Sequence, residues 1–331
     1  MLEQIAKVYA LFIEITGVKD VRKLEQAHLA QHADTLAKLP AIYRKSPRER
    51  RMTIVEIIAA RSGEETLSAS TINKNLDLIG QLLTKARSEG FENVILLDLN
   101  SLRPRKTSRA RDERPAFTAE DVQRLFQHPL WQGNLRRNKW RLAGPHIDKT
   151  GHYWLPLIAA MTGARREEIA ALKVDDIEVI DGIPALHIRA NANRGLKTST
   201  STRTIPLHPQ LIELGLLTHL DGLRARKGHN GDLFPDLRPK AKGGSYGQAI
   251  DYRFCQLVGD QLGEGTGKVF HSFRHYVATQ LGLLPDGKDQ TCADILGHVG
   301  GSITAERYSK PTPLPIMLAA LSQLPPLPIK T

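Results

Sequence analysis

Cysteine is scarce in this sequence, because Cys255 and Cys292 are the only two among 331 residues. Two thiols do not make a disulfide framework of the kind that holds small secreted proteins together, nor do these form a Cys-x-x-Cys metal knuckle. Long apolar runs are missing as well, and the first residues are already interrupted by Glu3, Lys7 and Glu14. We therefore expect a soluble, cytoplasmic protein of a reducing compartment, with no membrane partner.

Several motifs of common enzyme classes are also absent. The stretch GEGTGKV (263–269) lacks the first glycine of a phosphate-binding loop and has Val269 where Ser or Thr should follow the lysine. No Ser/His/Asp arrangement accompanies a G-x-S-x-G elbow. His271 and His275 have a zinc-like spacing of four, but no HExxH glutamate and no evident third ligand accompany them. These absences argue against nucleotide hydrolysis, serine-hydrolase chemistry and zinc catalysis.

What the sequence does contain is an excess of basic side chains. Lys and Arg outnumber Asp and Glu by 46 to 35, which gives a net charge of +11. Residues 1–114 carry 20 basic and 15 acidic side chains, and residues 115–331 carry 26 and 20. Such an excess attracts polyanions, of which nucleic acid is the commonest, so we expect both parts to face one polyanion. Charge alone leaves open a basic protein that binds none.

A basic stretch marks the boundary between two domains. Residues 101–114 hold six Lys and Arg side chains and almost no apolar residue, so they cannot pack a core. This stretch is either a solvated linker or a strap over phosphates. The predicted organisation is a helical domain at 1–100, the basic linker at 101–114, a second domain at 115–310 and a tail at 311–331.

The first domain has the apolar periodicity of helices. Spacings of three and four predict helices at 2–15, about 20–37, about 50–61 and 70–88. The last helix carries basic side chains on the face opposite its apolar stripe, and that face suits a duplex. The candidate DNA-binding residues come from this face and from the linker: Lys74, Lys85, Arg87, Arg103, Arg105, Lys106 and Arg109.

The second domain mixes helices with a few short strands. The stretch IEVIDGIPALHIRA predicts a hairpin around Asp181–Gly182, and a third strand follows at 202–207 with Pro206 suiting a sheet edge. The whole chain is therefore predicted to be mainly α with a small antiparallel β-sheet: a helical N-terminal domain followed by an α+β domain. The further predicted helices lie at 247–262, 272–283, 289–297 and 302–308, with a last amphipathic piece in the tail.

Four short stretches of this domain carry candidate chemistry. Arg165 and Glu168 are three residues apart, so the carboxylate can orient the guanidinium, although a surface ion pair has the same spacing. Lys197 lies in a polar strand-to-strand connection, where a lysine is usually only solvated. His271 and Arg274 lie near one helix N-terminus, which favours an anion. The fourth stretch is LGHVGGSITAERYSK, with His298 and Tyr308 ten positions apart.

In this order the four stretches resemble the tyrosine recombinases, the phage-integrase family. The resemblance covers about residues 115–310, and the helical first half resembles the family's core-binding domain more loosely. The sequence departs from the family pattern in two places. His298 and Tyr308 are ten positions apart, whereas many relatives have an interval of nine, and Arg166 adjoins Arg165. Helix phase favours Arg165 as the motif arginine, because it would share a helix face with Ile169. The matching motifs are Thr162-Gly163-Ala164-Arg165-x-x-Glu168-Ile169, Lys197, His271-x-x-Arg274-His275, Leu296-Gly297-His298 and Tyr308.

The resemblance implies a site-specific DNA recombinase (an integrase) that works through a covalent 3′-phosphotyrosyl intermediate. It implies Tyr308 as nucleophile, His271 as its base and Lys197 as proton donor to the leaving 5′-oxygen. Arg165, Arg274 and His298 would stabilise the phosphate, and Glu168 would orient the arginine without reacting. The bond energy stays in the ester, so neither a nucleotide nor a metal cofactor is expected.

The implied partner is double-stranded DNA, with four protomers on DNA and a monomer in solution left open. The implied origin is bacterial or phage. A type IB topoisomerase-like relaxing enzyme uses the same residues on one duplex, and a non-catalytic DNA-binding regulator is the alternative from another class. The tail at 311–331 is expected to dock either on a neighbouring protomer or on its own domain.

Overall fold

The computed structural model describes residues 2–105, 115–195, 201–239, 244–284, 289–297 and 310–329. By its internal packing the chain divides into two compact units, Met1–Ala110 and Arg111–Thr331, called here the N-terminal and C-terminal units. The predicted fold class, mainly α with a small antiparallel sheet, is confirmed. None of the helices among the described residues is long and apolar enough to cross a membrane.

The N-terminal unit contains the four helices that its apolar periodicity predicts, although the second begins at Gln26 and not near residue 20, because Val21–Lys23 forms a separate 3₁₀ turn. They are α1 (Leu2–Thr16), α2 (Gln26–Lys38), α3 (Ile54–Ala60) and α4 (Ala69–Ser88). Helix α3 begins four residues later than predicted because Thr53 caps it: its hydroxyl accepts from the Glu56 backbone N–H, and the Glu56 side chain accepts from Thr53 in return.

Helix α4 shows why this unit holds together. Ser68 caps its first turn, and the buried side chains of Ile72, Leu76, Ile79 and Leu83 recur every three or four residues along one face. Helices α1 and α2 pack against this stripe. Burial of each such side chain contributes roughly 1.5–3 kcal/mol to folding, so the stripe outweighs the weak intrinsic stability of a single helix.

The C-terminal unit has ten helices and three strands among its described residues. Its sheet has the order β1-β2-β3 and is antiparallel throughout, with Ile180 paired to Ile183 across the predicted turn. Both turn residues have positive φ, Asp181 at 49° and Gly182 at 79°, as a tight hairpin requires. Pro206 lies on the edge strand β3, as predicted. The strands are β1 (Ile177–Ile180), β2 (Ile183–Ile188) and β3 (Arg203–Pro206).

Helices surround this sheet and form most of the unit's core. The segment predicted at 302–308 lies outside the described residues. The helices are α5 (Ala119–Leu125), α6 (Pro129–Gln132), α7 (Gly151–Thr162), α8 (Arg166–Ala170), α9 (Pro209–Glu213), α10 (Leu216–Lys227), α11 (Gln248–Leu262), α12 (Ser272–Gly282), α13 (Asp289–Leu296) and α14 (Leu314–Leu321).

Gly163 lies where three helices approach one another. It ends α7 in the left-handed region with φ +65°, and a Cβ at this position would overlap Leu296 of α13 and crowd Val277 of α12. Helix α7 itself is buried on all sides and packs along α12. A glycine here lets the chain turn from the buried α7 directly into Arg165.

The tail packs on the unit that carries it. Met317 and Leu321 of α14 are buried, and α14 lies against β3. The extended residues that follow are held by three glutamine side chains. Gln123 donates to the Pro326 carbonyl at 2.8 Å, Gln132 to Pro328 at 2.5 Å, and Gln210 to Leu327 at 2.7 Å. Whether the tail also docks on a neighbouring protomer stays a prediction.

We predict that Gly163→Ala lowers the free energy of unfolding of the C-terminal unit by about 2–4 kcal/mol, through backbone strain and overpacking together. Gly182→Ala is the matched control, because Gly182 also has positive φ but no atom lies within 4 Å of its added Cβ. It should cost only about 1 kcal/mol. Urea denaturation followed by tryptophan fluorescence measures this unit alone, since the three tryptophans all fall within it. Equal destabilisation of the two variants would contradict the packing argument.

Candidate active site

Arg165 stands immediately before helix α8 and not inside it. Its backbone is extended (φ −70°, ψ 146°), and it forms a capping box with Glu168: the Arg165 N–H donates to Oε2 and Nη1 donates to Oε1, both at 2.8 Å. The expectation that Arg165 shares a helix face with Ile169 is therefore wrong, because Arg165 precedes the helix. The contact with Glu168 holds, and the neighbouring Arg166 turns to an ion pair with Asp251.

Glu168 is buried between two arginines. Arg203 of β3 donates to it through two nitrogens, Nη2 to Oε2 at 2.8 Å and Nη1 to Oε1 at 3.2 Å, and the Arg203 side chain is only 6% exposed. Burial alone would raise the pKa of Glu168, but the hydrogen bonds and charges of Arg203 and Arg165 outweigh it and lower that pKa to about 2. Glu168 is thus an ionised anchor and is unsuited to proton transfer at neutral pH.

Arg274 lies in the first turn of α12 and is 4% exposed. Its Nη1 donates to the Gly163 carbonyl at 3.1 Å, whereas its buried Nη2 has no hydrogen-bond partner among the described residues. Burial, followed by the charges of Arg165 and Arg203, lowers the pKa of Arg274 to about 10. An unpaired buried guanidinium nitrogen costs free energy until an anion accepts from it.

These four side chains, Arg165, Glu168, Arg203 and Arg274, form what we call the arginine cluster. Three guanidinium groups and one carboxylate give it a net charge of +2. Arg165 is the most open member at 39% side-chain exposure. The cluster is therefore a positively charged, partly enclosed site. One buried donor, Arg274 Nη2, has no hydrogen-bond partner in the described part of the chain, and such fixed donors stabilise oxyanions.

His271 is the N-cap residue of α12, three positions before Arg274. The start of this helix is fixed by Ser272, whose hydroxyl donates to the Pro115 carbonyl at 2.7 Å and accepts from the Val269 N–H at 3.1 Å. The rings of His271 and His275 lie 5.1 Å apart, edge to face. Within the described ranges no group of three or more His, Cys, Asp or Glu side chains is placed to hold a metal ion.

Three predicted site residues, Lys197, His298 and Tyr308, lie outside the described residues. The flanking chain is described: strands β2 and β3, between which Lys197 falls in sequence, pair from Ile188 and Arg203 onward. On one side of residues 298–309, Gly297 has positive φ and packs so closely on Arg203 that a Cβ would lie 2.8 Å from its Nη1.

On the other side of residues 298–309, Thr312 is fixed to helix α13. Its N–H and its hydroxyl both donate to Asp294 Oδ2, at 2.8 and 2.7 Å. Helix α13 in turn touches the arginine cluster, because the Ile295 carbonyl accepts from Arg203 Nε at 2.9 Å. The residues that flank 298–309 on both sides are therefore fixed by contacts with Arg203 and α13.

The predicted DNA-binding residues differ in how far they are already engaged. Lys74 and Arg105 are exposed, whereas Lys85 pairs with Glu89 at 3.0 Å. Arg87 donates to the carbonyls of Val94 and Leu97, both at 3.0 Å, and so ties the end of α4 to the following turn. Arg103 pairs with Asp77 at 2.8 Å. Lys106 and Arg109 lie outside the described residues.

Arg203 is the site residue that the sequence analysis missed. It stands in a short strand, RTIP, with no motif around it, and its partners lie 35 positions upstream and 92 downstream. Only the folded arrangement reveals that one buried carboxylate anchors two arginines. The one available signal was Gly297, since a glycine that ends a helix often marks a close approach by another side chain.

The chain is similar to known proteins in both sequence and fold. A model of the phage integrase family matches residues 146–313. None of the curated proteins compared with the chain matches it. Among solved structures, the integrase of the Tn1549 transposon, in complex with transposon right end DNA, is 15% identical over 93% of this chain and 88% of its own, with TM-score 0.56.

Two further structures share the fold. The lambda integrase tetramer bound to a Holliday junction is 14% identical over 94% of this chain and 74% of its own, with TM-score 0.52. The XerH recombinase in a post-cleavage complex is 15% identical over 92% and 90%, with TM-score 0.51. The family match and the shared fold together identify the chain as a tyrosine recombinase. Since the family model spans half of the chain, the protein belongs to the phage integrase family, which confirms the resemblance found in the sequence.

We predict that Glu168→Gln removes about 3 kcal/mol of unfolding free energy at neutral pH, because the folded-state pKa of Glu168 is about 2 against an ordinary value of 4.5. A depressed pKa stabilises above pH 4.5, and this stability is lost as the pH falls towards 2. The difference between wild type and variant, followed by tryptophan fluorescence, should therefore shrink across that window. Glu120→Gln, an exposed carboxylate on α5, is the control. A difference that is independent of pH would contradict the ionised anchor.

Proposed function

We propose that this tyrosine recombinase cuts and rejoins one strand of each of two DNA duplexes at a time, through a 3′-phosphotyrosyl ester on Tyr308. The observation that carries the proposal is the arginine cluster, with its net charge of +2 and with the buried Arg274 Nη2, which has no hydrogen-bond partner among the residues that the structure describes. A scissile phosphate is an anion with two free oxygens, and planar guanidinium groups bind such oxygens in pairs.

The cluster would act most strongly when charge builds up on the phosphate. Attack on phosphorus gives a five-coordinate species whose equatorial oxygens carry more negative charge than those of the bound diester. Donors that are already fixed in place stabilise this charge without reorganising. Arg203 and Glu168 support the arrangement by positioning Arg165, whose exposed side chain would meet the DNA, while Arg274 would bind from the buried side.

Tyr308 is the proposed nucleophile. Its oxygen would attack the phosphorus, the bond to the 5′-oxygen would break, and the free 5′-hydroxyl would later reverse the step on the partner strand. A phenol has a pKa of about 10, so it needs a base, for which we propose His271 at the start of α12. Lys197 would protonate the leaving 5′-oxygen, and His298 would donate a hydrogen bond to the phosphate.

Two observations on described residues support this assignment of Tyr308. Gly297, before residues 298–309, packs on Arg203 of the cluster. Thr312, after them, is hydrogen-bonded to Asp294 of α13, and α13 also contacts Arg203.

The proposed reaction needs no separate source of energy. The phosphotyrosyl ester keeps the energy of the broken bond, so no nucleotide is hydrolysed. The guanidinium groups supply the positive charge that many nucleases take from metal ions.

DNA is the proposed partner, and strand exchange between two duplexes implies four protomers on DNA. Support comes from the net charge of +11 and from the related folds solved with DNA, one of them as a tetramer. Membership of the phage integrase family favours strand exchange over relaxation of a single duplex, which the same active-site chemistry would permit.

We predict that Tyr308→Phe abolishes the covalent protein–DNA adduct on a nicked oligonucleotide duplex but leaves binding unchanged. The reason is that the ring remains while the attacking oxygen is removed. Denaturing gel electrophoresis with labelled DNA detects the adduct, which wild type should form equally well in EDTA. Tyr252→Phe, an exposed tyrosine on α11, is the matched control and should form the adduct normally. Cleavage by the Tyr308→Phe variant would show that Tyr308 is not the nucleophile.

We predict that Arg165→Ala slows adduct formation about 100-fold or more while the affinity for DNA changes by less than about tenfold, because the side chain acts mainly on the developing charge. Arg166→Ala is the control, since it removes the neighbouring guanidinium and its ion pair with Asp251 but leaves the cluster intact. Single-turnover cleavage and equilibrium binding separate the two effects. Equal rates of adduct formation for the two variants would show that Arg165 does not bind the scissile phosphate.

A further inference from the structure

Within residues 2–101 of the N-terminal unit, the positive charge is concentrated in one short segment. Residues 2–101 carry 14 basic and 13 acidic side chains, so this part of the chain is nearly neutral. The eight residues Arg44–Arg51, which we call the basic turn, hold five of the basic side chains and one of the acidic ones. The remaining residues of this range are therefore net negative, with nine basic against twelve acidic side chains. The basic turn is therefore the part of this range with the highest density of positive charge, and it attracts an anionic partner most strongly.

The basic turn is an ordered structure between α2 and α3. The Ser46 hydroxyl accepts from the Glu49 N–H at 3.2 Å, and a single 3₁₀ turn follows at Glu49–Arg51. Arg50 closes the turn by donating to the carbonyls of Arg44 and Lys45, both at 3.4 Å. Its basic side chains are thus presented from a defined backbone.

Two ion pairs fix this turn to the rest of the unit. Arg44 has a positive φ of 55° and donates to Glu14 of α1 at 2.5 Å and to the Met52 carbonyl at 3.3 Å. Glu49, the one acidic residue of the turn, is paired with Arg61 at 3.2 Å, and the two side chains are 19% and 25% exposed. Because Arg61 neutralises Glu49, this carboxylate does not cancel the positive charge that the turn presents to solvent.

Four basic side chains of the turn are exposed. One is Arg50, which donates to the turn's own backbone, and the other three are Lys45, Arg48 and Arg51. None of the three makes a side-chain hydrogen bond or ion pair with any residue in the described part of the chain. Arg48 and Arg51 are three residues apart on a 3₁₀ turn, so they project to the same side. By contrast, Arg87 and Arg103, predicted to bind DNA, are already bound within the unit.

We propose that the basic turn contacts the phosphates of duplex DNA through Lys45, Arg48 and Arg51. This inference rests on the proposed function, in which DNA is the substrate. Three neighbouring cations without intramolecular partners suit successive backbone phosphates, and no amide side chain accompanies them to read base edges. The turn would therefore add affinity without sequence preference and would hold the N-terminal unit on the duplex.

The test compares two triple variants of the full chain by fluorescence anisotropy with a labelled duplex of random sequence. One is Lys45→Gln/Arg48→Gln/Arg51→Gln, and the other is Lys19→Gln/Lys23→Gln/Lys38→Gln, which removes the same charge from exposed lysines of the same unit. The slope of log affinity against log salt becomes shallower by about 0.9 for each phosphate that the protein no longer neutralises, so the first variant should show a slope shallower by about 2–3. The second should keep the wild-type slope.

Equal slopes for the two variants would overturn the proposal, since the charge would then act only through the net charge of the protein. Circular dichroism melting checks that both variants fold. The nucleophile is tested separately, because adduct formation by wild type and by Tyr308→Phe on a nicked duplex is a different measurement from the salt slopes. If Tyr308→Phe formed the covalent adduct, the proposed chemistry would fail while the comparison of salt slopes would still stand.

Discussion

The burial of one carboxylate, Glu168, organises the rest of the site. An ionised carboxylate that is removed from water is costly unless it is fully paired, and here Arg203 pairs with both of its oxygens while Arg165 shares them. The same contacts hold α8 against β3, and through Arg203 they reach α13 as well. The buried ion pair of Glu168 with Arg203 thus fixes the orientation of the Arg165 guanidinium, which is partly exposed to solvent. Arg274 adds a second guanidinium, held by the Gly163 carbonyl.

The arginine cluster carries more positive than negative charge, so it favours the binding of an anion. One carboxylate does not neutralise three guanidinium groups, and the mutual repulsion adds to burial in lowering the pKa of Arg274. A bound phosphate would remove that repulsion and accept from the unused nitrogen. Because the reaction adds negative charge at this phosphate, the cluster binds the transition state more tightly than the substrate, and this difference in binding accelerates the reaction. The proposed reaction uses fixed charges for this purpose and leaves proton transfer to His271 and Lys197.

Local chemistry explains which features the sequence predicted well. The hairpin at Asp181–Gly182 and the apolar stripe of α4 depend on neighbouring residues only, and both were found as predicted. Helix phase failed for Arg165 because a capping box held that residue outside the helix. Helix α10 was not predicted, although its buried leucines, Leu216, Leu220 and Leu223, have the spacing of a helix. Arg203 and the basic turn could not be recognised, because the first depends on distant partners and the second on which charges are neutralised within the fold.

The most direct measurement of the central claim is a structure of the Tyr308→Phe protein with a duplex that contains its cleavage site. If the arginine cluster is the phosphate site, one phosphate of the cut strand lies within hydrogen-bond distance of Arg165 and of Arg274 Nη2, and Glu168 stays paired with Arg203. A cleavage-site phosphate that is bound by other side chains, with Arg274 Nη2 still unpaired, would contradict the account.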